Sequence, residues 1–483
     1  MQMTLAQRTI TGVFWSFGQQ IGNRGIGILV TLILARFLEP SDYGLVAMMG
    51  VFLAVATSLM DSGFKEALIR IEDASRLDLN TAFYSNLALG AFSYTLLFLS
   101  APLISSFYNE PHLTILIRVA GVSILISSFY VVQSAVLNRA LNFKAELQAT
   151  MPAGIISGVV AVGLAYFGFG VWALILASIL GAVTTTVLLW YIQGWRPAFV
   201  FSWRSFRNMY NFGYKLFLSG LLDTIFRNLY VVVIARFFTA SVAGHYFFAN
   251  KLKELVISQL VGTIQKVTYP ALSSIQGDNN RLKAGYRNVI QVTTFILFPS
   301  ILILAALAEP LFLFLLPDKW LPAVLYLQLM CIAGVMYPLH AVNLNILKVK
   351  GRSDLFLYLE IFKKILVVIV LFVSIRYGVV GILLGQIATS FLAYIPNSLF
   401  SARLINYSIR EQITDFLPCL FLSGTVAAVI YIAEFILQWP YIAELMTLGL
   451  VAALLYIGGS HVFKLHGYIL ARKIIWERMN KRV

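Results

Sequence analysis

Apolar residues fall along this chain in runs of about 20, each closed by charges, Pro or Gly, the length a helix needs to cross the hydrocarbon core of a bilayer. Fourteen such runs predict helices at residues 12–36, 42–64, 79–100, 113–137, 147–167, 170–192, 210–236, 242–268, 288–308, 321–346, 355–376, 378–402, 414–437 and 441–463. The pattern is that of an all-α polytopic membrane protein.

The pattern also repeats. Ala35-Arg36-Phe37 followed by Gly44 recurs as Ala235-Arg236-Phe237 followed by Gly244, an offset of 200 residues. The turn Gly168-Phe169-Gly170-Val171 is echoed by Arg376-Tyr377-Gly378-Val379 between the corresponding pair of helices. Six helices per repeat is an even number, so the two repeats share one orientation and are related by a pseudo-two-fold axis along the membrane normal. The expected organisation is an N-terminal lobe at 1–195, a cytoplasmic linker at 196–209, a C-terminal lobe at 210–405, two further helices within 406–463 and a basic tail at 464–483. The linker stretch GWRPAFVFSWRSFRN alternates aromatics with arginines and reads either as a segment lying on the membrane surface or as a plain connection.

Composition agrees with the spans. Of the 483 residues 59% are hydrophobic and 12% charged, about half the charge of a soluble protein. The net charge of +15 would suit nucleic acid, but its placement argues otherwise. With a cytoplasmic amino terminus, 24 of the 36 basic residues fall in inside segments, four outside (Arg36, Arg236, Lys319, Arg376) and eight within spans. That is a positive-inside distribution, and it makes the tail ARKIIWERMNKRV a membrane-surface segment rather than a nucleic-acid arm. Both termini are expected in the cytoplasm. The start MQMTLAQRTI is short and polar, so the first helix reads as retained rather than cleaved. Cys331 and Cys419 sit in apolar runs and the five histidines are scattered, so neither a disulfide framework nor a metal site is expected. No GxxxxGK[ST] loop is present, and no cofactor is expected.

The candidate chemistry lies in the polar residues inside spans. Gln19, Gln20, Asn23 and Arg24 occupy the middle of the first helix. An arginine at that depth costs roughly 2.5–3.5 kcal/mol and persists facing a partner or a watery cavity. Helix seven carries Lys215, then Asp223 and Arg227 four apart on one face, and Asp223 is the repeat equivalent of Asn23. Helix eight adds Lys251, Lys253 and Glu254, either as ligands or with Lys251 and Glu254 neutralising each other at i,i+3. Lys363 and Lys364, beside Glu360, either snorkel to headgroups or line a vestibule. Arg118 and Asp61 read as interfacial anchors or gates. The inventory is cationic and favours an anionic ligand.

Several stretches carry a family resemblance: Gly12-Val13-Phe14-Trp15-Ser16, Ala35-Arg36-Phe37-Leu38-Glu39-Pro40-Ser41-Asp42-Tyr43-Gly44, Asp61-Ser62-Gly63-Phe64, Ala243-Gly244-His245-Tyr246, Tyr269-Pro270-Ala271-Leu272-Ser273-Ser274-Ile275-Gln276, Asp318-Lys319-Trp320 and Lys350-Gly351-Arg352-Ser353-Asp354. On these the chain resembles the polysaccharide-transport branch of the multidrug/oligosaccharidyl-lipid/polysaccharide (MOP) exporter superfamily, most nearly the colanic-acid-type exporters, or Wzx-type lipid-linked oligosaccharide flippases. It departs at His245, which stands within a turn similar to a Gly-containing family pattern.

The resemblance implies two six-helix lobes about a central cavity and alternating access in a bacterial inner membrane. It also implies export of an oligosaccharide on undecaprenyl diphosphate to the periplasmic leaflet, in company with membrane lipids and with polysaccharide polymerase and export machinery. Arg24 and Arg227, with Lys251, Lys253 or Lys215, are then expected to engage the diphosphate, since the guanidinium fork binds phosphate bidentately. Gln19, Gln20 and Asn23 would bond phosphate or sugar, and Asp223 or Glu254 would couple an ion. A drug exporter of the same fold would want carboxylates for organic cations. A membrane polymerase or ligase would need a sizeable outer catalytic loop, which the short outer connections do not offer.

Overall fold

The computed structural model describes residues 5–71, 73–437 and 439–480; Lys481 and Arg482 of the expected tail lie outside the described residues. All regular secondary structure among them is helical. The chain divides into two compact units, Met1–Gly244 and His245–Val483.

In the first unit the order is α1 (Leu5–Phe37), α2 (Pro40–Asp61), α3 (Phe64–Arg70), α4 (Arg76–Tyr108), α5 (Leu113–Ala120), α6 (Val122–Ser128), α7 (Val131–Arg139), α8 (Phe143–Tyr166), α9 (Val171–Ile192), α10 (Trp203–Arg227) and α11 (Leu229–Phe237). The boundary falls just inside α12 (Ala240–Ser273), and the second unit continues with α13 (Asn279–Ala306), α14 (Ala308–Leu315), α15 (Pro322–Gly334), α16 (Tyr337–Val349), α17 (Ser353–Ser374), α18 (Gly378–Ile405), α19 (Ile409–Leu437), α20 (Tyr441–Val462) and α21 (His466–Asn480).

Several long helices begin where the sequence supplies a cap. Ser75 and Asp78 form a reciprocal capping box at α4, the Ser75 hydroxyl accepting from the Asp78 amide at 3.2 Å and the Asp78 carboxylate from the Ser75 amide at 2.9 Å. Asp278 caps α13 through the amides of Asn280 and Arg281 at 2.9 and 3.1 Å. The two echoed turns share a reason for their glycine: Gly170 and Gly378 both have positive φ, +52° and +74°, where a Cβ would be strained.

Among the described residues nine helices are long and apolar enough to cross a membrane, or eleven when two bent pairs each count as one crossing. The run 353–405 is a single one of these although a break at Ile375–Tyr377 separates α17 from α18, and α1 and α12 are not in the set.

Two expected straight helices are broken, and local competition for the backbone explains both. The expected helix 113–137 bends by 44° between α6 and α7, where the Trp190 indole takes the Phe129 carbonyl at 2.8 Å. The expected helix 210–236 bends by 43° between α10 and α11, and there the Asn228 amide donates to the Thr224 carbonyl at 2.8 Å. In addition α10 starts earlier than expected, at Trp203, because Ser202 caps it by accepting from the Ser205 amide at 3.2 Å. The linker ahead of it has no regular secondary structure. Its backbone is tied to α4 by Asn80, which accepts from the Ala198 amide at 3.1 Å, and by Thr81, which accepts from the Ser202 amide at 3.0 Å.

The repeated turns meet one another inside the first unit. A Cβ on Gly44 would collide with the Ala240 carbonyl oxygen and a Cβ on Gly244 with the Pro40 carbonyl oxygen, a reciprocal contact at the 200-residue offset. At the other end of α2, Gly63 and Gly213 also approach, each leaving a Cβ 2.6 Å from backbone oxygen of the other segment. Small residues permit such backbone contact between membrane helices.

Candidate functional site

On α1, Asn23 donates through its amide nitrogen to the Thr150 hydroxyl of α8 at 3.0 Å. The pair stands at a cavity of about 270 Å³ among α1, α8 and α9, lined mainly by Gly, Ala and Ser, including Gly27, Gly154, Ser157, Ser178 and Gly181. Asn23 is thus partly engaged in holding helices together. Arg24, one residue on, is exposed, and Gln19 and Gln20 are half-buried.

On α10, Asp223 and Arg227 form an ion pair across one helical turn, with side chains 58% and 75% exposed. Lys215 is exposed near the Tyr214 ring. Below it the aromatic side chains Trp203, Phe206, Tyr210 and Tyr214 stack in succession at centroid separations of 5.0, 5.8 and 5.7 Å. The i,i+3/i,i+4 spacing aligns Trp203 and Phe206 of the alternating linker sequence with Tyr210 and Tyr214 beyond it on one helical face.

In the second unit the acid of α12 stands beside a lysine. Glu254 lies 3.8 Å from Lys253, whose side chain is 17% exposed. Lys251 is half-buried. Lys363 is ion-paired with Glu360, and Lys364 beside it is half-buried. In the first unit, Arg118 donates weakly to the Phe98 carbonyl at 3.4 Å and lies 4.3 Å over that residue's ring, an anchoring arrangement. Asp61, the last residue of α2, keeps one buried oxygen without a hydrogen-bond partner among the described residues.

His245 has a structural explanation. Its Nε2 bonds the Lys319 carbonyl at 2.9 Å and its ring stands edge-on to Trp320 at 5.8 Å. His245 and the stretch Asp318–Trp320 are therefore partners in space, where the ring fills a position that a smaller residue would leave open.

The sequence reading passed over one polar centre. Asp415 at the head of α19, its side chain 4% exposed, accepts from Arg287 at 2.6 Å, from the Gln291 amide at 3.0 Å and from the Tyr407 hydroxyl at 2.5 Å. Burial and then the neighbouring carboxylate push the Tyr407 phenol well above its ordinary value. The i,i+4 spacing of Arg287 and Gln291 was the available signal, hidden because Arg287 counts among inside flanking charges.

Comparison with known proteins adds the family. A model described as a polysaccharide biosynthesis protein matches residues 33–325, more than half of the chain. The chain belongs to the polysaccharide biosynthesis protein family. Its relatives include the lipopolysaccharide biosynthesis protein WzxC of Escherichia coli, 26% identical over 403 residues and covering 81% of each chain. The succinoglycan biosynthesis transport protein ExoT of Rhizobium meliloti is 27% identical over 340 residues, covering 70% of this chain and 69% of its own. Among solved structures, the lipid II flippase MurJ in an inward closed conformation superposes with a TM-score of 0.74 at 16% identity, covering 94% of this chain and 98% of its own. An inward-facing multidrug resistance MATE transporter of the MOP superfamily gives 0.60 at 18% identity, covering 79% and 96%. The fold of this family member is that of the MurJ and MATE transporters.

Proposed function

We propose that the protein is a secondary transporter that flips a lipid-linked oligosaccharide, carried on undecaprenyl diphosphate, from the cytoplasmic to the periplasmic leaflet of a bacterial inner membrane. The observation that carries the reading is the pair of exposed cations in helices that the sequence pattern places across the membrane, Arg24 on α1 and Arg227 on α10, in a member of a polysaccharide biosynthesis family. Exposed guanidinium groups at membrane depth are costly unless water or an anion meets them, and a diphosphate offers paired oxygens for the guanidinium fork.

In this reading fourteen crossings form two six-helix lobes plus a terminal pair, with both termini cytoplasmic. Arg24 and Arg227 clamp the diphosphate, assisted by Lys215, Lys251 and Lys253, while Gln19 and Gln20 bond phosphate or sugar. The Asp223–Arg227 pair opens when phosphate arrives, since an oxygen with greater negative charge displaces the carboxylate. That step leaves Asp223 open to take a cation, which supplies the coupling; Glu254 is the other candidate. Rocking of the lobes carries the polar headgroup across while the polyprenyl tail stays in lipid. Polymerase and export machinery then consume the product.

The test is Arg24→Ala and Arg227→Ala in an export-dependent strain, with membrane abundance checked. The expected result is loss of surface polysaccharide and accumulation of the lipid-linked repeat unit on the inner leaflet. Wild-type export by both variants would sink the assignment.

A further inference from the structure

The second unit holds a cavity of about 210 Å³ that the transport reading does not use. It is bounded by α13, α19 and the turn leading into α21, and its lining includes Arg287, Gln291, Asp415, Lys464, His466 and Gly467. With Asp415 set against Arg287, Lys464 leaves the lining one positive charge in excess.

Three features converge on it. First, α21 begins there. A helix leaves its first N–H groups without intrahelical partners, and Leu465, just before His466, has no side-chain acceptor to cap them. Gly467 brings this helix start onto α13, where a Cβ would stand 2.6 Å from the Gln291 carbonyl oxygen and 2.7 Å from Phe295 Cβ. The 15 residues of α21 aim their positive dipole end at the cavity.

Second, Gln291 is 5% exposed and its amide nitrogen is committed to Asp415 at 3.0 Å. Its Oε1 is buried and has no hydrogen-bond partner among the described residues. A buried amide oxygen of this kind costs about 1–3 kcal/mol unless a donor reaches it. The occupant therefore carries a donor as well as an anion.

Third, Lys464 stands in the left-handed region at φ +50°, at the position after α20 where glycine is usual. The Leu465 amide closes the cap by donating to the Ser460 carbonyl at 3.0 Å. A lysine in this place costs backbone strain and contributes a cation at the cavity wall.

The location selects the source of the anion. Five of the first nine residues of α13, NNRLKAGYR, are Asn, Lys or Arg, and the stretch spans about 13 Å at the helical rise, a composition that fits the headgroup layer with Arg287 and Gln291 at its edge. The cavity is smaller than the roughly 300–1,000 Å³ of sites for drug-sized ligands and suits a headgroup rather than a whole glycolipid.

We infer that this cavity binds the headgroup of a membrane phospholipid whose phosphate is accompanied by a hydrogen-bond donor, as in phosphatidylethanolamine or phosphatidylglycerol. The phosphate meets Arg287, Lys464 and the start of α21, and the ammonium or hydroxyl donates to Gln291 Oε1. Phosphatidylcholine, which has the phosphate but no donor, is discriminated against.

The experiment measures lipid association with the purified full-length chain by native mass spectrometry, using phosphatidylethanolamine, phosphatidylglycerol and phosphatidylcholine of matched acyl chains. Both donor-bearing lipids are expected to outcompete phosphatidylcholine. Lys464→Gly, which removes the cation while relieving the backbone, is expected to weaken them about fivefold, the share of one surface lysine, without lowering thermal stability. Gln291→Leu is expected to abolish the preference over phosphatidylcholine. Equal binding of all three lipids to the wild-type chain, or unchanged affinity in Lys464→Gly, would overturn the inference. The measurement involves no transport, so it stands apart from the flippase reading.

Discussion

Replacing Gly44 by Ala tests the contact between the repeated turns. The new methyl would collide with the Ala240 carbonyl, and a backbone oxygen yields only if a helix moves. Overpacking of this kind costs about 1–3 kcal/mol. For a unit the size of Met1–Gly244 that corresponds to a fall in Tm of about 2–12 °C. If the contact opens during transport, the same energy shifts the closed-to-open ratio by about 5- to 150-fold. Thiol labelling can read that shift, because Cys331 and Cys419 are both buried and give little background. Cysteines placed at Ser41 and Ser241, half-buried and 200 residues apart, should label faster when Gly44→Ala is added. Gly244→Ala should act in the same direction through the Pro40 carbonyl. Unchanged Tm and unchanged labelling in both variants would refute the close approach.

Two further outcomes are expected. Asn23→Ala removes one interhelical hydrogen bond, worth about 0.6 kcal/mol and at most about 1.7 in a membrane protein; a loss of export beyond that loss of stability, measured by denaturation in detergent beside a transport assay, would assign Asn23 to substrate as well. For Tyr407, whose phenol is held protonated in the fold, the unfolded chain ionises above about pH 10. Its stabilisation is present below that pH and declines as pH rises past it, by about 1.4 kcal/mol per unit, so Tyr407→Phe should flatten the alkaline limb of a Tm-against-pH curve.

The sequence by itself determined the class of the protein, because bilayer thickness imposes a run length that composition cannot disguise. Charge placement argued for topology in the same way, and the offset between Gly44 and Gly244 exposed the repeat from residue identity alone. Arg24 and Arg227 were legible as expensive groups. The pairing of Arg227 followed from Asp223 one turn away on the same helix, but that Asn23 bonds Thr150 depends on which helix faces which.

Tertiary structure alone decided the break at Phe129, where the distant Trp190 indole claims one carbonyl, whereas the break at Asn228 rests on a local bond to Thr224. It alone brought Gly44 against Ala240 and His245 against Trp320, contacts between segments far apart in sequence. The cavity at Gln291 belongs to the same class. Arg287, Asp415 and Lys464 each look like an ordinary flanking charge until α13, α19 and α21 are packed together, because burial and hydrogen-bond satisfaction are properties of the assembled helices and not of any one run.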